Sequence, residues 1–316
     1  MSAFSDMTGQ FFELYGRQAY AEALALVQGS LPAFPEHRTE LITWEICMQS
    51  CLGCSAEAIQ ALTDALQTST YWWSPEALHY DADLAPLQGN PEYERLVGVC
   101  KDRQRKARRN SRGRRRVFAP SPLGAKKRPL LIAFHGWGAN AELEAPHWQG
   151  LAERGWLVAV PRSSQPMADG MYVWDDLERT VSDAKAHYEA LGRDFPIDTR
   201  RVVLAGFSQG GGRALWLALT RAIPAQGLIG VGPYLDEFDT LVPTLSPPRA
   251  SKPHVYLVTG EHEDDEGMFA QFEGLCKERQ LPFHQEIVPG IGHEYPPDFD
   301  PILQRALAFI FEPKKD

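Results

Sequence analysis

"LAGFSQGG", residues 204–211, sets a serine between two glycines directly behind a short apolar run. A G-x-S-x-G string arises by chance in a chain of this length about one time in ten, so its meaning rests on its flanks. The preceding "RVVLA" lacks polar alternation, the pattern of a strand buried on both faces. "GGGRALWLALTRA" (210–222) then reads as a helix. A strand that turns sharply into a helix strains the residue at the bend. It also brings the residues two positions either side too close for ordinary side chains. Gly206 and Gly210 occupy those positions. Such a bend projects the Ser208 hydroxyl beyond the sheet, at the positive end of the helix.

The same texture extends on both sides. "RPLLIAFHGWG", "GWLVAVP", "GLIGVGP" and "KPHVYLVTGE" are further apolar runs, and "DDLERTVSDAKAHYEAL" (175–191) is a helical stretch between them. Alternation of this kind predicts an α/β fold with a mostly parallel sheet and right-handed crossovers. Ligands then bind at the carboxyl ends of the strands.

A serine hydroxyl needs a base. His37 and His79 fall in a helical region, and His187 is expected on the solvent face of a charged helix. His293, in "VPGIGHEYPPDF", follows the strand-like "FHQEIV" and precedes the last helix, so it is expected at the carboxyl edge. The base needs a carboxylate to fix its tautomer. "VYLVTGEHEDDEG" offers Glu261, Glu263, Asp264, Asp265 and Glu266 in the order serine, acid, histidine. Glu263 and Asp264 stand a short turn past Gly260 and are the preferred pair, which sequence does not separate. An oxyanion needs two backbone N–H donors. One is expected from Gln209. The other is expected from Trp137, in the loop where Gly136 and Gly138 let the backbone approach a ligand. Tyr172 and Trp174, with Met167 and Met171, are candidates for an apolar pocket wall or for loop packing. Asp175 with Glu178 reads as a helix cap.

The chain has 316 residues, 44% hydrophobic and 23% charged, with a net charge of -9. This composition suits a globular chain and argues against general attraction to nucleic acid or anionic membrane. No run reaches the roughly 18 apolar residues of a membrane span, and the N-terminus lacks the pattern of a signal peptide. The expected location is the cytoplasm. Five cysteines argue against a disulfide framework. "CLGC" (51–54) has no second pair to complete a zinc site, and Cys47 and Cys51 are spaced as packed core residues.

Residues 1–110 have helical periodicity: Phe11, Leu14 and Tyr15, then Tyr20, Leu24 and Val27, mark buried faces. "AEALALVQGSL" and "AEAIQALTDAL" recur at a step of about 35 residues, suggesting two helix-pair units. Trp72 and Trp73 read as filling a joint between helices. "KDRQRKARRNSRGRRR" (101–116) holds ten Lys or Arg. Without aromatics for base stacking it reads as a solvated helix end and linker to about 116, rather than a nucleic-acid patch. A second domain then covers 117–316.

"GRQAYAEALAL" and "HYDADLAPLQGNPEYERL" resemble tetratricopeptide repeats, which implies a surface for a protein partner or self-association; a helical cap is the other reading. "HGWGAN", "GFSQGG" and "GIGHEYPPDF", with "PRSSQP…YVWDD" between the first two, resemble the α/β-hydrolase fold over residues 117–312. Within it they resemble the carboxylesterase/phospholipase-type and dienelactone-hydrolase-related esterases. The resemblance implies a triad of Ser208, His293 and an acid near 263–265, with Trp137 and Gln209 at the oxyanion hole. It also implies a small-molecule ester substrate and no metal or other cofactor. Related enzymes usually carry aspartate three residues after the strand-end glycine, where this chain has Glu263. Dienelactone hydrolases proper use cysteine, not serine. The expectation is a serine ester hydrolase. Its rivals are a peptidase or thioesterase with the same triad, and a helical-repeat scaffold with a vestigial hydrolase domain.

Overall fold

The computed structural model describes residues 3–235, 252–263 and 267–311. The chain divides into two compact units, Met1–Ser111 with Pro166–Met171, and Arg112–Gln165 with Tyr172–Asp316. Among the described residues no helix is long and apolar enough to cross a membrane.

The first unit is helical. It comprises α1 (Ala3–Gly16), α2 (Tyr20–Ser30), α3 (Arg38–Cys51), α4 (Ser55–Thr68), the short α5 (Pro75–Tyr80) and α6 (Pro91–Asn110). Phe11, Leu14, Val27, Leu41, Ile46, Leu62, Tyr71, Trp72 and Tyr93 form its core. α1, α2, α4 and α6 each supply one apolar stripe to that core, as amphipathic helices must, whereas α3 is buried on several sides. The start of α6 is fixed locally: Asn90 accepts from the N–H groups of Glu92 and Tyr93, and Pro91 follows it. Trp72 is buried in this core, and Trp73 packs against it.

The basic run is carried by the second half of α6 and by β1 (Arg114–Phe118). One of its members has a structural task. The Arg103 guanidinium donates to the carbonyls of Leu66, Ser69 and Tyr71, satisfying groups left open where α4 ends. The Cys47 thiol is buried, and burial pushes its pKa up. Nearby, Asp83 accepts from the Tyr15 hydroxyl.

The second unit is built on β1, β2 (Arg128–Phe134), β3 (Leu157–Arg162), β6 (Ile197–Phe207), β7 (Gly227–Val231), β8 (His254–Gly260) and β9 (Phe283–Val288). They form one seven-stranded sheet in the order β1-β3-β2-β6-β7-β8-β9. Only the β1–β3 pairing is antiparallel. β4 (Gln165–Ala168) and β5 (Met171–Val173) form a separate two-stranded sheet. Its described α-helices are α7 (Ala141–Trp148), α8 (Leu177–Asp194), α9 (Gln209–Leu219), α10 (Met268–Glu278) and α11 (Phe299–Phe311).

Side chains alternate across a strand, so a sheet covered on both faces needs apolar residues at every position. Leu130, Ile132 and Phe134 of β2 enter one core with Leu204 and Leu215. Leu131 and Ala133, the intervening residues, enter the other with Val203, Ala205, Ile229 and Val258. Strand order reverses between β2 and β6: the chain leaves β2 toward β3 on one side and β6 toward β7 on the other. Their loops therefore diverge and open a crevice at the carboxyl ends. The segments after Phe134 and after Phe207 flank that crevice.

Candidate active site

Ser208 has φ 51° and ψ −123°, between the end of β6 and the first residue of α9. Left-handed φ is costly for a residue with a Cβ, so the bend must be held from outside. Ser208 N–H donates to Val231 O at 2.9 Å, and Ser208 O accepts from the N–H groups of Gly212 and Tyr234 at 3.0 Å each. The hydroxyl makes no capping bond to α9, although serine commonly caps helices.

The flanking glycines answer to close approach. A Cβ at Gly206 would stand 2.5 Å from Phe134 O, and one at Gly210 would stand 2.1 Å from the same oxygen. Both contacts are with backbone, so no side chain fits at either position.

The loop after β2 lies against this bend: a Cβ at Gly136 would sit 3.6 Å from Ser208 Cβ. Buried His135 fixes the loop's start. Its Nε2 accepts from Ser163 N–H at 3.2 Å, which leaves Nδ1–H to donate to Gly136 O at 2.8 Å. Burial pushes the His135 pKa down to about 4, consistent with a neutral ring. Gly138, at φ +71°, donates to Tyr172 O at 3.0 Å. Trp137, between these anchors, keeps 57% of its surface exposed.

Gln209 supplies the first N–H of α9, in the turn where amides lack helical acceptors. Its side chain is committed: Oε1 accepts from Trp174 N–H at 2.9 Å, and Nε2 donates to Asp175 Oδ1 at 2.8 Å.

His293 lies in the loop after β9, with 48% of its side chain exposed, and its Nδ1 is 2.6 Å from Glu263 Oε1. The His293 ring is 4.8 Å from that of Phe207, the residue before Ser208. Glu263 is well sheltered, at 7% side-chain exposure, and its Oε2 accepts from Gly260 N–H at 3.2 Å. The two loops are joined along their backbones. Glu261 N–H donates to Val288 O and His262 N–H to Ile291 O. The Glu261 carboxylate accepts from Gly290 N–H at 2.9 Å. A Cβ at Gly260 would stand 2.3 Å from Gly292 O, so the approach requires glycine there. Asp264 and Asp265 lie outside the described residues.

The structure decides one open reading and corrects two expectations. Trp174 is fully buried, its indole N–H donates to His135 O at 3.0 Å, and its ring meets Phe134 edge-on. It packs beneath the loop and presents no wall to a ligand. Tyr172 is half-buried, with the Arg162 guanidinium 4.4 Å over its ring. The cap of α8 is Asp176, which accepts from Arg179 N–H, while Asp175 holds Gln209. His187 is buried at 5% exposure rather than solvated.

Sequence reasoning passed over Gly232. It has φ +47°, and a Cβ on it would stand 2.7 Å from Glu263 Oε1 and 3.0 Å from His293 Nδ1. The signal was available in "GVGP", a glycine directly past a buried strand. Also passed over were Tyr295, two residues beyond His293, and Glu144 of α7.

Residues 4–108 match the family model described as "A/B hydrolase-like, N-terminal domain". The bifunctional acetylxylan esterase/xylanase XynS20E of Neocallimastix patriciarum is 35% identical over 99 residues, 30% of this chain. The chain spans only 14% of the length of that relative. An uncharacterized protein from Bacillus cereus ATCC 10987 has a solved structure similar over 98% of this chain and 99% of its own, with TM-score 0.55 and 26% identity. The crystal structure of esterase PE8 covers 62% of this chain and 96% of its own, with TM-score 0.49 and 20% identity. The fold is that of an α/β hydrolase preceded by an all-helical region.

Proposed function

We propose that the chain hydrolyses carboxylic esters through an acyl-enzyme on Ser208. The observation that carries this reading is the 2.6 Å contact between His293 Nδ1 and Glu263 Oε1, beside a serine held at φ 51° on the adjoining bend. With Nδ1–H donated to the carboxylate, Nε2 is the nitrogen left to take the serine proton. Ser208 Oγ attacks the acyl carbon and its proton passes to His293. The resulting imidazolium is stabilised by Glu263. The tetrahedral oxyanion is held by the N–H groups of Gln209 and Trp137. His293 then protonates the leaving alcohol, and water, activated by the same imidazole, releases the acid.

Further support comes from the relative whose name records an acetylxylan esterase. That name makes short acyl esters the first substrates to assay. A fluorophosphonate probe is expected to label the purified protein, with labelling absent in Ser208→Ala and acetyl esters turned over faster than the matching anilides. Labelling that persists in Ser208→Ala, or none on folded wild-type protein, overturns the reading. Anilides cleaved faster than esters would make the chain a peptidase instead.

A further inference from the structure

Helix α7 carries a carboxylate into the protein interior. Glu144 is 3% exposed, and Trp148, one turn further on, is fully buried. Glu144 Oε1 accepts from the Tyr295 hydroxyl at 2.5 Å and from the Trp148 indole N–H at 2.8 Å. Trp148 N–H also reaches the Tyr295 oxygen at 3.1 Å, closing a triangle of polar atoms. Both donors to the carboxylate are neutral. Desolvation pushes the Glu144 pKa up to about 7, against the lowering effect of those two bonds.

A leucine at 144 facing a phenylalanine at 295 would occupy similar space without desolvating a carboxylate, so the polar pair specifies geometry that apolar packing leaves loose. The ring it orients is well placed. Tyr295 stacks on His147 with centroids 3.6 Å apart and on Phe207 at 5.0 Å. Phe207 in turn lies 4.8 Å from the His293 ring and immediately precedes Ser208. Tyr295 is thus wedged between α7 and the bend, two residues from the histidine.

We propose that Glu144 is a positioning residue: by fixing the Tyr295 hydroxyl it sets the loop that presents His293 to Ser208. The inference rests on the ester-hydrolase reading for its kinetic consequence. Glu144 touches no reacting atom and acts through Tyr295. The titratable groups facing it are Tyr295 from the histidine loop and, across the Tyr295 ring, His147 from its own helix.

The test is steady-state hydrolysis of a short p-nitrophenyl ester by Glu144→Ala, Glu144→Gln, Tyr295→Phe and the Glu144→Ala/Tyr295→Phe pair. Near-UV circular dichroism reports whether each is folded. The alanine and phenylalanine variants are expected to lower kcat about tenfold with KM within about twofold, and the double variant to fall no further than the worse single. Glu144→Gln, which keeps an acceptor oxygen, should recover to within about threefold of wild type. The downfield proton resonance of His293 Nδ1–H is recorded in parallel, and should shift or broaden in Tyr295→Phe. Folded Tyr295→Phe or Glu144→Ala with unaltered kcat and an unmoved resonance would overturn the proposal. If the wild type hydrolyses no ester, the ester reading fails alone, and the resonance still decides for or against positioning.

Discussion

Glu263 and His293 meet at 2.6 Å although thirty positions separate them in the chain. The contact is assembled by two loops joined by two backbone bonds, Glu261 to Val288 and His262 to Ile291, and by the Gly290 N–H donating to the Glu261 carboxylate. A carboxylate so placed holds one imidazole tautomer and stabilises the cation formed during proton transfer. Glu263→Gln is therefore expected to reduce kcat on the order of 10²–10⁴-fold with little change in KM. Asp264→Asn is expected to stay within about threefold. A Glu263→Gln variant with wild-type kcat would remove this carboxylate from the mechanism.

Gly232 and Gly210 make a contrasting pair. An alanine Cβ at 210 would collide with the backbone oxygens of Phe134 and His135, at 2.1 and 2.4 Å. The start of α9 and the end of β2 must then move apart, and the expected result is loss of folding or a destabilisation of at least about 3 kcal/mol. At 232 the nearest atoms are side-chain atoms of Glu263 and His293, which can swing away. Gly232→Ala should cost roughly 1–2 kcal/mol for its positive φ while lowering kcat at least about tenfold. Thermal melts and initial rates on the two variants separate these outcomes.

Much of this is legible in the sequence itself. Apolar runs without alternation mark strands buried on both faces because a sheet covered by helices has no wet side. The flanking glycines mark the bend because backbone is what approaches them. The acid of the proposed triad was not readable, since five carboxylates share one short loop; among the described residues it is Glu263 that meets His293. Trp174 stayed open between pocket wall and loop packing because a loop aromatic beside a glycine-rich segment looks the same whether it faces ligand or floor. His187 was misread, though Thr180, Ala184, His187 and Leu191 fall on one buried stripe of α8. The charged residues around it belong to the other faces.

Two buried histidines set a pH dependence of stability. His135 and His187 are 0% and 5% exposed, and each has its pKa pushed down to about 4, chiefly by burial. Unfolded histidine titrates near 6.5, so between those values the unfolded chain binds the extra protons. The stabilisation is complete above about pH 6.5 and is lost as pH falls toward 4, at up to roughly 3 kcal/mol per ring. His187 Nε2 has no hydrogen-bond partner among the described residues, so His187→Leu removes no bond seen at that atom. Denaturant melts at pH 7 and 4.5 should differ by less in this variant than in wild type. An equal difference in both would show that the His187 pKa is not lowered by folding.

Glu144 works in the opposite direction. Its folded pKa is raised from 4.5 to about 7 by desolvation, so between those values the folded chain holds the proton that the unfolded chain has released. Stability then falls as pH rises from about 4.5 to 7, by roughly 3 kcal/mol in all, and is flat beyond. The carboxylate survives at neutral pH because the Tyr295 hydroxyl and the Trp148 N–H donate to it. Glu144→Gln has nothing to ionise, so its penalty does not grow across this range. Relative to wild type, its stability is expected to improve from about pH 5 to 7 and to hold beyond. The check is the difference between the two stability curves, since His135 and His187 contribute equally to both and cancel. A difference that stays constant across the range would mean that Glu144 carries no raised pKa, and that the polar triangle is held by a carboxylate already charged at pH 5.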